Sequence, residues 1–263
     1  SHTVVAQARR LFGRRDIGHA GTLDPMATGV LLVLVGQACK LSGYLTADSK
    51  RYWAEVSFGR ATDSLDADGQ TTEEAKVDGE ALAGSRVEAA LSYERARTQQ
   101  APPAVSAIKV KGERAYALAR KGEAPELAPR DVKVLELSLL ELGETSLRCE
   151  LLVSKGYYVR SFARDVGEQL GVPAHLSGLR RLASGPFTIA GAAAWPATQP
   201  PALVSVADSV RAVLPQRELK LEAVTRARQG KRLSAEDFED FVETQGPVAW
   251  LGPDGQLVAI GTA

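Results

Sequence analysis

The stretch GHAGTLDPMATGVLLVLVG, residues 18–36, joins a glycine-rich loop to a run of branched apolar residues. Gly18, Gly21 and Gly29 let the backbone approach a partner closely and adopt positive φ. Asp24 precedes Pro25, which biases its backbone to an extended conformation and sets its carboxylate at a turn. Piece by piece, ordinary explanations compete. An Asp-Pro pair is a common structural turn. A glycine-rich loop can cradle phosphate, although this one lacks both the Walker lysine and the GxGxxG spacing. His19 alone reads as readily as a capping or core histidine. The string GHAGTLDPMATG taken whole is far less ordinary than its parts, and it makes Asp24 the candidate for chemistry.

Outward from this loop the pattern is mixed. Val4, Val5, Ala8 and Leu11 share one helical face upstream, and GVLLVLVG reads as a buried strand. A short helix over 38–45 leads into a strand over 51–59. Residues 61–80 are rich in Asp, Gly, Thr and Ser and read as a solvated loop. A helix follows over 87–97, and then QAPPAVSAIKVKG, where Pro102 and Pro103 force an extended passage. The spacing over 113–121 predicts a helix. Alternation over 132–142 and 146–153 around Gly143 predicts a hairpin. An amphipathic helix over 158–170 stops at Gly171 and Pro173, and 176–189 returns to strand character. AAAWPATQPP, residues 192–201, reads as a linker. The tail, 202–263, predicts helices over 203–214 and 219–228, then two strands around a Gly-Pro-Asp-Gly turn. The expected architecture is α+β, with a mixed, largely antiparallel central sheet flanked by helices and a small C-terminal α+β domain.

Composition narrows the class. Apolar residues make up 44% and charged residues 24%, ordinary for a globular protein. The longest apolar run, Val30–Val35, is far too short to span a bilayer, and no secretory signal pattern opens the sequence. Cys39 and Cys149 lie far apart and read as reduced thiols, and three histidines without close Cys/His spacing argue against zinc. A cytoplasmic protein without membrane association is the expectation. The net charge of zero conceals blocks: 1–60 carries +4, while 101–130 and 151–200 each carry +3, with acidic segments between. Such blocks permit phosphate binding on one face, and ordinary surface alternation explains them equally well.

Five stretches in order carry a family resemblance. GHAGTLDPMATGVLLVLVGQACKLSGYL, KRYWAEVSFGRATDSLDADGQ, QAPPAVSAIKVKGERAYALARKG, SKGYYVRSFARDVGEQLG and AHLSGLRRLASGPF together resemble the motifs of the bacterial tRNA pseudouridine synthase B (TruB) family. The resemblance runs from Ser1 to about Phe187. It implies the pseudouridine synthase fold in a catalytic domain over 1–191, with 202–263 as a PUA-like domain that contacts tRNA. The family's usual opening, a strand and a Lys-Pro segment before Ser-His, has no counterpart in this sequence. Ala20, Val105 and Tyr157 depart from the family's usual residues.

The resemblance implies isomerisation of uridine 55 in the tRNA T-loop, with Asp24, Tyr52 and Arg160 as the catalytic positions. It further implies that Tyr158 and Leu179 line the uracil pocket. His19 becomes a candidate to stack where the flipped nucleotide leaves the loop. Breaking the N1–C1′ bond and forming C5–C1′ involves no redox change or hydrolysis, so no cofactor and no metal is expected. Arg160 as a partner for Asp24 would keep the carboxylate ionised and oriented. Lys155, Arg164, Arg180 and Arg181 remain open between phosphate contact and holding the sheet. The expected partner is tRNA, bound by a monomer that requires no other protein. Competing readings are a guide-RNA-dependent relative, a tRNA-folding chaperone whose catalysis is dispensable, and a phosphate-loop enzyme.

Overall fold

The computed structural model describes residues 1–46, 49–106, 109–110, 113–114 and 127–262, with backbone alone at 109–110 and 113–114. Two compact units divide the chain. The larger comprises Leu23–Val30 and Asp48–Ala190, and the other comprises Ser1–Thr22, Leu31–Ala47 and Gly191–Ala263.

The larger unit is built on a sheet whose strands run in the order Val134–Leu142, Ser146–Ser154, Ser49–Phe58, Ala174–Ser184, Phe187–Thr188. These pair antiparallel, and a sixth piece, Thr28–Gly29, adds in parallel beside Arg180 and Arg181. This is the mixed, largely antiparallel sheet the sequence predicts. Its central strand alternates cleanly: Tyr52, Ala54, Val56 and Phe58 are buried, and their neighbours are not. Ser146–Ser154 repeats the pattern with Leu147, Cys149, Leu151 and Val153. A period of two on both strands puts all these residues on one face. Helices Gly84–Arg95 and Val159–Leu170 contribute Val87, Leu91, Phe162 and Val166 to the same core. Gly171, at φ 71°, closes the second helix in the left-handed conformation, as its position predicts.

The sheet's other face carries ions. Arg148 pairs with Glu55 at 2.8 Å across the strands and with Glu141 at 2.5 Å, while Arg51 reaches Glu136 and Glu150 at 2.7 Å each.

Tyr157 is buried, and its hydroxyl lies 3.3 Å from Glu94, a carboxylate that Arg97 also holds. Arg97 reaches Asp165 at 3.2 Å, and Asp165 accepts from Arg164. A large aromatic fits at 157 because its polar tip meets this buried network. Arg164 is thereby committed to the protein, whereas Lys155 and Arg180 are exposed.

In the other unit, helix His2–Phe12 presents Val5 and Ala8 to a small core with Ile17, Phe12, Val33, Val35 and Trp195. Trp195 donates its indole N–H to Gln7 at 2.8 Å. The strand Ile17–Ala20 pairs antiparallel with Leu32–Val35. Downstream, Gln216–Glu218, Pro247–Leu251 and Leu257–Thr262 form a three-stranded sheet, with Leu219, Ala223, Ala227 and Phe238 as its core.

Several local expectations differ from the structure. Residues 17–20 form a strand where a glycine-rich loop was expected, because Leu32–Val35 offers them a ladder partner. That partner strand is only half-buried apart from Leu34. The 61–80 segment contains a short hairpin, Arg60–Thr62 with the exposed strand Thr71–Glu74, and Thr62 and Asp66 are buried. Glu113–Arg114 pairs as strand with Lys109–Val110, since ladder hydrogen bonds outweigh the weak helix preference there. The remainder of the predicted helix over 113–121 lies outside the described residues. One boundary between the units falls between Ala190 and Gly191, and Trp195, within the expected linker, packs into a core. Residues 1–22 and 31–47 nonetheless group with the C-terminal part, because their hairpin pairs with itself and shares its core with Trp195.

Candidate active site

Asp24 opens a turn in which the Ala27 N–H donates to its carbonyl at 3.1 Å. The chain after the turn is moored to the strand Ala174–Ser184. Thr28 and Gly29 run beside Arg180 and Arg181, and the Val30 N–H donates to the Arg181 carbonyl at 2.9 Å. Gly29 sits at φ 96°, and a Cβ there would fall 2.2 Å from the Arg181 carbonyl oxygen. Only glycine permits so close a crossing.

Arg160 enters from the first turn of helix Val159–Leu170 and faces the carboxylate with two nitrogens. Its Nε lies 3.2 Å from Asp24 Oδ2 and its Nη2 3.3 Å from Asp24 Oδ1. This fork geometry fixes orientation as well as charge. The guanidinium also donates to the Ser64 carbonyl at 2.9 Å and the Val105 carbonyl at 3.0 Å. Its side chain is only 7% exposed, against 30% for Asp24. The cation is therefore anchored in the protein while the carboxylate keeps one side open.

A second carboxylate, absent from the sequence reading, completes the cluster. Asp66 Oδ2 lies 3.5 Å from Arg160 Nε, and the Asp66 side chain is 5% exposed. Its Oδ1 accepts from the Ser64 hydroxyl at 2.5 Å and from the Asp68 N–H at 3.2 Å. Leu65 at φ 63° delivers Asp66 to this position, and the bridge to Leu176 holds it against the sheet. Leu65 lies outside the usual left-handed set of Gly, Asn and Asp, so local strain is accepted there. The DSLDADG run looks like solvated loop because its acidic residues suggest water. A buried cation contributed from about ninety residues downstream reverses that reading.

Tyr52 and Leu179 lie on the pocket face of adjacent strands, both buried, with Leu179 opposite Ala54. Burial pushes the Tyr52 phenol above its ordinary pKa, and the negative charge of Asp24 pushes the same way. The charge of Arg181, and a hydrogen bond from it to the phenol, pull back. Tyr158, just before Arg160, is half-buried, and its phenol is also raised by burial. Tyr158 is held by a clamp: Gln100 accepts from its N–H at 2.8 Å and donates to its carbonyl at 3.2 Å.

The larger unit thus assembles Asp24, Arg160, Tyr52, Tyr158 and Leu179, and adds Asp66. His19 belongs to the other unit, where it pairs with Val33 and its ring meets His2 edge-on at 6.3 Å. Among the described residues, no group of three or more His, Cys, Asp or Glu is placed to hold a metal ion. None of their helices is long and apolar enough to cross a membrane.

A carboxylate oriented by a buried arginine has the chemistry of a base or a nucleophile. Comparison with known proteins gives that site a family. Residues 9–159 match the model of the TruB family pseudouridylate synthase N-terminal domain. A tRNA pseudouridine synthase B of Thermobifida fusca is 39% identical over 269 residues, covering 99% of this chain and 89% of the relative. Another, from Nocardia farcinica, is 41% identical over 266 residues, covering 99% and 84%. The chain belongs to the TruB family of pseudouridylate synthases. Its fold is also that of a chain in the crystal structure of a Cbf5-Nop10-Gar1 complex, with a TM-score of 0.67 at 23% identity, covering 100% of this chain and 74% of the other.

Proposed function

We propose that this enzyme converts uridine 55 in the T-loop of tRNA to pseudouridine, with Asp24 starting the break of the N1–C1′ bond. The observation that carries this reading is the two-point contact between Asp24 and a buried Arg160. A carboxylate so held points one way, as a nucleophile or base at a sugar or uracil ring requires. The names of the relatives support tRNA as the substrate. The stacked uridine is flipped out to reach the carboxylate. Tyr52 and Leu179 then bracket the uracil, Tyr158 lines the pocket, and His19 stacks on RNA where the base has left. Tyr52, facing the ring, carries protons, because one must leave C5 and one must reach N1. In the C-terminal region the exposed Arg226, Arg228, Lys231 and Arg232 bind phosphates of the acceptor arm. The enzyme acts as a cytoplasmic monomer without a protein partner.

The test uses purified protein, a T-loop minihelix and no other component. Pseudouridine at position 55 alone is expected. A requirement for a guide RNA or a second protein overturns the stand-alone reading. Undiminished turnover by Asp24→Asn removes Asp24 from the chemistry.

A further inference from the structure

Arg181 is among the largest fully buried side chains of the protein, at 0% exposure, on the core face of the sheet. Burying a guanidinium costs several kcal/mol unless its donors are met, so its surroundings are informative. The Nε donates to the Val30 carbonyl at 2.7 Å. The Val30 N–H in turn donates to the Arg181 carbonyl at 2.9 Å. One residue therefore grips Val30 through both side chain and main chain, and Val30 ends the loop that carries Asp24. Arg181 is also the cross-strand partner of Tyr52. The strand's register shifts immediately after Arg181, between it and Ala183. Bulges of this kind re-aim side chains beside functional sites. Burial and the Asp24 charge oppose ionisation of the Tyr52 phenol, whereas the Arg181 charge favours it.

Given the reading of Tyr52 as the proton carrier, we propose that Arg181 is a positioning residue that acts through the Tyr52 oxygen, latched by Val30 so that it pairs with the phenolate formed during the proton transfers. Atoms balance as follows. The phenol gives its proton to the detached uracil and becomes a phenolate. After the C5–C1′ bond has formed, the C5 proton moves to that oxygen and restores the phenol, while the C5–H electron pair returns to the ring. The isomerisation consumes no proton overall. Arg181 stays protonated throughout and supplies a fixed charge where negative charge develops.

A double-mutant cycle tests the assignment, with single-turnover rates on a T-loop minihelix carrying tritium at C5 of the target uridine. Arg181→Gln is expected to slow tritium release about 100-fold in an otherwise unaltered enzyme, the order typical of losing one preorganised charge. Arg181→Lys, which keeps the charge, is expected to recover roughly a tenth of the rate or more. In a Tyr52→Phe background the same Arg181→Gln change is expected to cost less than about threefold, because the oxygen it serves is gone. RNA affinity should move by less than about threefold in every variant. An equal loss with and without the Tyr52 hydroxyl overturns the proposal and leaves Arg181 as a loop latch. Full activity of Tyr52→Phe alone instead removes Tyr52 as the proton carrier, a separate failure. Should Arg181→Gln not fold, Arg181→Lys is carried through the same cycle: a loss confined to the enzyme that has the Tyr52 hydroxyl supports the proposal, and an equal loss in the Tyr52→Phe background overturns it.

Discussion

The two faces of the central sheet use the same chemical groups for opposite ends. On the outer face Arg51 and Arg148 bridge Glu136, Glu150, Glu55 and Glu141 with contacts of 2.5–2.8 Å. On the pocket face Arg160 meets Asp24 and Asp66 at longer distances, 3.2 and 3.5 Å. Contact length alone would rank the outer pairs as stronger. Burial reverses the ranking. Arg148 and Glu141 are 44% and 60% exposed, so water and salt screen them, whereas Arg160 and Asp66 are 7% and 5% exposed. The outer ladder tunes a surface. The inner cluster places a charge, and removing either of its buried members, Arg160 or Asp66, leaves the other's charge unbalanced.

The largest effect expected from breaking this contrast is at Asp24. Asp24→Asn should lower single-turnover pseudouridine formation by at least about 10³-fold while the thermal midpoint barely moves, as befits a partly open group that reacts. Next comes Asp66→Ala, which leaves Arg160 short of a counter-charge. Chemical denaturation should show a stability loss of about 3 kcal/mol. The rate should fall by about 10- to 100-fold through misplacement of Arg160, with RNA affinity preserved. Gly29→Ala places a Cβ against the Arg181 backbone at positive φ, and a loss of about 2 kcal/mol with a slower reaction is expected. Leu179→Ala should cost about 2 kcal/mol, and, on the proposal that Leu179 packs on the base, should raise KM more than it lowers kcat. At the small end, Arg148→Gln should change stability by less than about 1 kcal/mol and leave the rate untouched. Raising salt should erase even that difference. A large effect at Arg148 would mean that the outer face takes part in function after all.

The thiols offer a parallel contrast. Burial pushes Cys149 up to about 12, so it stays protonated and inert at neutral pH. Cys39 is half-buried and should be the thiol that reacts first with a thiol reagent in the native protein, as mass spectrometry of the labelled chain would show.

What the amino-acid order determined by itself was the periodic and the unusual. Alternation along 51–59 and 146–153 specified which face of the sheet is buried, and Gly171 specified where the active-site helix stops. The string around Asp24, with the motifs holding Tyr52, Tyr158, Arg160 and Leu179, marked the candidate site. These are local signals, carried by residues within a few positions of one another. Tertiary structure decided the rest. Asp66 looks solvated until Arg160 arrives from another element, and Arg181 reads equally as a phosphate contact or a sheet support until the strand register buries it beside Tyr52. Residues 17–20 look like loop until Leu32–Val35 pairs with them. In each case a polar group's role depends on whether a distant segment removes its water and supplies its partner, and sequence periodicity holds no record of that meeting.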